Sequence, residues 1–124
     1  MSRNLHFLGN PPINVLPARL SGGQAMLGEA RFAAPHLAHF GDREVLLGVR
    51  PSDITLGSEG IPANVTMREL LGEDVIVDLD VGGLLVRVKV PGHRRVGEGE
   101  RVHARLDPLK LHVFDRESGK RVET

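Results

Sequence analysis

Asp74-Val75-Ile76-Val77-Asp78-Leu79-Asp80-Val81-Gly82-Gly83-Leu84-Leu85-Val86-Arg87-Val88-Lys89-Val90 sets two β-branched runs around a Gly-Gly pair, and this stretch decides the fold. Gly-Gly supplies the positive φ angles that a two-residue hairpin turn demands. With the turn at Gly82-Gly83 the register follows: Val81 faces Leu84, Leu79 faces Val86, Val77 faces Val88 and Val75 faces Val90. One face of the hairpin is then wholly aliphatic, while the other pairs Asp78 with Arg87 and sets Asp80 diagonal to Arg87, an arrangement expected on the solvent side. A one-residue slip would destroy both patterns, because side chains alternate with period two. Each aliphatic side chain of that face contributes about 1.5–3 kcal/mol on full burial, before chain entropy offsets most of the gain. A lone hairpin cannot realise such burial, so the face calls for further strands.

Working outward, candidates are present on both sides. Ile13 to Leu20, Ala30 to Ala33, Glu44 to Arg50, Ala63 to Leu70, Arg101 to Leu106 and Leu111 to Phe114 are short, rich in Val, Leu or Ile, and bounded by Gly, Pro, Asn or Asp. Helical period is poor. Pro51-Ser52-Asp53-Ile54 and Pro35-His36-Leu37-Ala38-His39-Phe40 each suit one turn, and Gly or Pro interrupts anything longer. The expected fold class is all-β: a small OB-like β-barrel of short antiparallel strands with at most one or two short helical turns, residues 1–124 forming a single domain.

Composition narrows the function. The chain has 124 residues, 16 Lys plus Arg against 16 Asp plus Glu, and no Cys. Zero formal charge offers no global field for nucleic acid or anionic lipid, and the missing thiols exclude disulfides, thiolate metal sites and cysteine nucleophiles together. The N-terminal Met1-Ser2-Arg3-Asn4-Leu5-His6-Phe7-Leu8-Gly9 lacks the apolar stretch of a secretory signal. Runs such as Val45-Leu46-Leu47 fall far short of the roughly 20 residues that span a bilayer. The expectation is a cytoplasmic chain that meets a membrane only through partners.

Leu20-Ser21-Gly22-Gly23-Gln24 spells the ABC signature, in which N–H groups at a helix start bind a nucleotide phosphate. That mechanism needs a following helix, yet Gly28 and Pro35 interrupt the next residues; the stretch therefore reads as a strand entering a Ser-Gly-Gly turn. No phosphate loop of the form G-x-x-x-x-G-K-[ST] exists, since Lys occurs only at 89, 110 and 120 and Gly119-Lys120 is followed by Arg121. His36-x-x-His39 with Asp42 sketches a metal site, but on a loop and without an H-E-x-x-H pattern, so no metal is expected. Neither Ser21 nor Ser52 lies in a nucleophile elbow, so no catalytic residue is assigned. The basic His93-Arg94-Arg95 lacks the aromatic platforms of a single-strand binder, there being no Trp or Tyr and four scattered Phe. Nucleic acid is not an expected partner.

Five segments in order carry a family resemblance: Phe7-Leu8-Gly9-Asn10-Pro11-Pro12-Ile13-Asn14-Val15-Leu16-Pro17, Leu47-Gly48-Val49-Arg50-Pro51-Ser52-Asp53-Ile54, Glu69-Leu70-Leu71-Gly72-Glu73-Asp74, Val96-Gly97-Glu98-Gly99-Glu100-Arg101-Val102, and Leu111-His112-Val113-Phe114-Asp115. Together they resemble the C-terminal regulatory region, with its TOBE-type segment, of ATP-binding subunits from the maltose and glycerol-3-phosphate branch of ABC importers.

The resemblance implies a noncatalytic OB-like domain that meets its copy on a partner subunit and receives regulatory proteins. It implies no cofactor in this chain; ATP and magnesium belong to the ATPase domain of the parent subunit, through which membrane permease subunits are contacted at the inner membrane. Phe7, Pro11, Asn14, Arg50, Pro51, His112 and Phe114 are the candidate residues that organise the barrel or its contacts. An alternative comes from related barrels that bind molybdate: Ser2-Arg3-Asn4-Leu5 faintly echoes their opening, and an oxyanion would be held by backbone N–H groups with Arg or Ser side chains.

Overall fold

The computed structural model describes residues 11–122. They form two five-stranded antiparallel sheets. In the first, sheet A, β1 (Asn14–Ser21) lies between β2 (Gln24–Leu27) and β4 (Arg43–Val49), with β3 (Ala30–Ala33) beyond β2 and β10 (His112–Asp115) beyond β4. In sheet B the order is β5 (Ile54–Gly57), β9 (Arg101–Leu106), β6 (Ile61–Leu71), β7 (Asp74–Val81) and β8 (Leu84–Pro91). Sheet B curls until its edge strands β5 and β8 touch, which gives the OB-like character.

The β7–β8 hairpin keeps the expected register, Val81 opposite Leu84 through Val75 opposite Val90. Gly82 and Gly83 have φ of 60° and 95°, the left-handed pair that makes a two-residue turn follow the strands' twist. The aliphatic face is buried as expected, with Leu84 half-buried at its end, and the middle of the other face is buried too: Ile76 and Asp78 are each 2% exposed. The solvent side expected for Asp78 is thus corrected, because β1 and the Pro51–Asp53 turn fold over that face.

One core runs between the sheets, with Leu16, Leu20, Leu27 and Leu47 from sheet A meeting Val65, Val77, Leu79 and Val88 from sheet B. β6 is long enough to serve two partners, with a bulge between Val65 and Met67 that bends it; Ile61–Asn64 pairs with β9, and from Asn64 onward the strand pairs with β7. The Thr66 hydroxyl, at the bulge, donates to the Asp78 carbonyl at 3.2 Å.

Two strands lie outside the six inferred beside the hairpin. Gln24–Leu27 follows the Ser-Gly-Gly turn, and Ile54–Gly57 begins where a helical turn was expected to continue. Three short 3₁₀ turns are present, at Pro35–Phe40, Pro51–Asp53 and Pro108–Lys110, the last in addition to the two expected. Each opens on proline, whose fixed φ suits a helical start and whose missing N–H leaves no orphan donor.

Candidate regulatory surface

In a hairpin with a two-residue turn, alternate residues point their N–H and C=O away from the partner strand. Arg87, opposite Asp78, is one of these. The Asn14 carboxamide fills the gap: Oδ1 accepts from the Arg87 N–H at 2.8 Å, and Nδ2 donates to the Arg87 carbonyl at 2.8 Å and to the Val49 carbonyl at 3.1 Å. One buried side chain therefore joins β1 and β4 of sheet A to the edge of sheet B. Beside it the Arg87 guanidinium grips Asp78, Nε to Oδ1 at 2.8 Å, with the two side chains 17% and 3% exposed.

Pro51, buried in the turn that follows β4, packs on the same strand β8. Arg50 stays exposed and lines a cleft of about 360 Å³ with Pro11, Ile13, Pro51, Ser52 and Lys89. Four of the candidate residues, Pro11, Asn14, Arg50 and Pro51, are thus brought together along the outer edge of β8. Phe7 lies outside the described residues.

His112 and Phe114 belong to a different surface. They stand on the outward face of β10 opposite Gly48 and Leu46 of β4, and β1 adds Val15 opposite Gly48. Gly48 is the seat of this patch, since a β-carbon there would lie 2.7 Å from Phe114 Cε2 and 3.2 Å from Ile13 Cδ1. Val15 is 51% and Ile13 37% exposed, so the outer face of sheet A presents an apolar surface. His112 Nδ1 is buried without a hydrogen-bond partner. The patch ends at Asp115, whose carboxylate accepts from the Ser118 N–H at 2.8 Å and from Arg43 Nη2 at 2.9 Å. These bonds, that of Ser118 foremost, hold its pKa below the ordinary carboxylate value.

The signature-like residues form the β1–β2 hairpin turn. Gly22 and Gly23 take φ of 58° and 77°, Ser21 pairs with Gln24, and no helix follows. Where a signature would offer its serine and glycine to a phosphate, here Asp42 is the acceptor, taking the Gly22 N–H at 3.2 Å and the Ser21 hydroxyl at 3.5 Å. Asp42 is thereby engaged away from His36 and His39, and His39 packs on Phe40 with ring centroids 4.2 Å apart. Among the described residues no group of three or more His, Cys, Asp or Glu is placed to hold a metal ion. His93 and Arg95 sit exposed in the turn after β8, where the Arg94 N–H returns to the Pro91 carbonyl at 3.0 Å.

Ile13 and Val15 were not among the residues inferred from sequence for this surface. The signal that could have found them is strand alternation through Asn14, Leu16 and Ala18, which turns Ile13 and Val15 outward.

An all-β module of two sheets, with its motif residues joining the sheets and shaping one outer face, is the class that this geometry defines. The chain belongs to the TOBE domain family, whose model matches residues 47–114. A second family model, the CysA C-terminal regulatory domain, matches residues 14–56. Similar curated proteins include the sn-glycerol-3-phosphate import ATP-binding protein UgpC of Cupriavidus pinatubonensis, 33% identical over 135 residues, covering 94% of this chain and 37% of the relative. UgpC of Cereibacter sphaeroides is 36% identical over 121 residues, with 94% and 34% covered. The trehalose/maltose import ATP-binding protein MalK of Thermococcus litoralis is 33% identical over 134 residues, with 94% and 36% covered. The chain spans about a third of the length of these relatives. The matches do not favour the molybdate-binding alternative.

Proposed function

We propose that this chain is the noncatalytic regulatory module of a carbohydrate-type ABC importer ATP-binding subunit, and that it works by meeting a second copy of itself. The family matches support the regulatory role, and the observation that carries self-association is the apolar outer face of sheet A around Gly48, with Val15 51% exposed on it. Exposed contiguous apolar surface of this kind marks interaction sites. In this reading ATP and magnesium belong to a nucleotide-binding domain of the parent subunit, permease subunits are reached through that domain, and the module lies on the cytoplasmic side of the membrane. The turn of the Ser21 hydroxyl and the Gly22 N–H toward Asp42 supports reading this stretch as a hairpin turn and not as a nucleotide contact.

Sedimentation equilibrium of the chain tests this directly. The expected result is a reversible dimer that Val15→Glu converts to a monomer with an unchanged circular dichroism spectrum. A monomer at every concentration, or a dimer indifferent to Val15→Glu, overturns the self-association reading. Amide shifts induced by ATP with Mg²⁺ would overturn the noncatalytic one.

A further inference from the structure

Four strands end their sheets, and three of those edges are occupied. β5 and β8 meet each other, and Asn14 caps β8 at Arg87. The edge of β10 is closed by the chain's own return: the Asp115 N–H donates to the Lys120 carbonyl at 2.7 Å and the Val122 N–H to the Val113 carbonyl at 2.8 Å. β3 remains.

On β3 the Ala34 N–H bonds the Gly23 carbonyl at 2.8 Å, and antiparallel alternation then gives Phe32 and Ala30 to β2. Arg31 and Ala33 turn their N–H and C=O outward. Directly across lies a second open half-edge. The Asp107 N–H bonds the Asp53 carbonyl on the β5 side at 3.2 Å, so alternation directs the backbone groups of Leu106 to the β6 side, yet β6 begins only at Ile61, opposite Ala104.

A groove of about 370 Å³ runs between these half-edges. Its walls are three consecutive residues of each strand, Arg31-Phe32-Ala33 and Ala104-Arg105-Leu106, and Gly60, Ile61 and Pro108 complete the lining. Consecutive lining is the mark of a strand edge, since only alternate residues would line a face. Phe32 and Leu106 contribute apolar surface, whereas Arg31 and Arg105 are exposed and have no ion-pair partner among the described residues. We infer that this groove receives an extended acidic segment of a partner protein, which adds a strand to β3 while its carboxylates meet Arg31 and Arg105. Backbone pairing supplies the affinity and the two guanidinium groups select charge. β3 and β9 lie apart from the Gly48 patch, so this site is independent of the self-association proposed above.

The probe is a fluorescein-labelled peptide alternating glutamate and valine over about eight residues, titrated into the full chain and followed by anisotropy. Expected are saturable binding, amide shifts centred on Arg31, Ala33 and Leu106, and at least tenfold weakening by Arg31→Glu with Arg105→Glu. The lysine–valine counterpart should not bind, and N-methylation of alternate peptide residues should abolish binding without touching the protein's fold. No anisotropy change up to millimolar peptide overturns the inference, as do equal binding of the lysine peptide or retained binding of the N-methylated one. Concentration-dependent shifts of Arg31 and Ala33 without peptide would assign the groove to a second copy and overturn it too.

Discussion

The carbonyl oxygen of Gly82 occupies the place where a side chain on Gly28 would begin. The tips of the β2–β3 and β7–β8 hairpins dock at this point, and the Glu29 N–H donates to the same oxygen at 3.0 Å. The approach is reciprocal, for a β-carbon on Gly82 would run into the Leu27 carbonyl and the Ala30 N–H. Both glycines also hold φ near 60°.

Gly82→Ala and Gly28→Ala therefore carry two penalties, left-handed strain and backbone overlap. Gly72, with φ of 61° and nothing within 4 Å of a built β-carbon, carries only the first. Urea denaturation should show Gly72→Ala costing about 1 kcal/mol. The two docking glycines should cost about 2 kcal/mol more. Equal losses at all three positions would dismiss the docking account.

Asn14→Ala removes three hydrogen bonds and leaves a buried N–H and two carbonyls to be satisfied otherwise. A loss of about 2–4 kcal/mol is expected, measured by the same denaturation. Asn14→Asp should be no better, since it keeps an acceptor for the Arg87 N–H but sets a carboxylate oxygen against the carbonyls of Val49 and Arg87. Amide exchange at Arg87 should quicken in both variants.

The Asp78–Arg87 pair is removed asymmetrically by Asp78→Ala, which withdraws a carboxylate that is 3% exposed from a guanidinium that is 17% exposed. The expected cost is about 3 kcal/mol, the low end for a buried pair because the guanidinium keeps some contact with water. Asp78→Leu combined with Arg87→Met should recover much of that loss. Full additivity of the two changes in a double-mutant cycle would show that the pair does not act as one.

Asp115 gives a pH signature. Its folded pKa is depressed below 3.8 by the Ser118 N–H and hydroxyl and by Arg43. The stability it contributes is fully present above its unfolded pKa and is lost as pH falls through the lower folded value. Carboxyl carbon titration followed by nuclear magnetic resonance should place it below the ordinary aspartate value. Arg43→Gln should raise it only part of the way, because the Ser118 bonds persist.

Much of this fold was legible because hairpin chemistry is local. Gly82-Gly83 between two Val-rich runs is enough to define the register, and Ala30–Ala33 and Arg101–Leu106 have the bounds that their flanking residues imply. Gln24–Leu27 was hidden by its resemblance to a signature tail, and Ile54–Gly57 by its nearness to Pro51; each has four residues, too few for alternation to declare itself. Burial of Asp78 was illegible for another reason. An aspartate facing an arginine has the same local pattern on a wet or a dry face, and only the distant Asn14 and Pro51 decide which. The candidate residues likewise divide into the β8 edge and the Gly48 patch through tertiary contacts that spacing does not encode. The β3 groove had no sequence signal at all, since it is defined by strands that stop.

Asn14 presents one acceptor and one donor to Arg87, the same complement that a neighbouring strand would offer there. A single carboxamide thus stands in for a strand at the lip of an incomplete barrel. An open edge can be closed by one codon, where adding a strand would require inserting several residues and a turn. It follows that the lip of this barrel is closed by the choice of one residue on β1, so a single base change in its codon could reopen Arg87 to a competing strand.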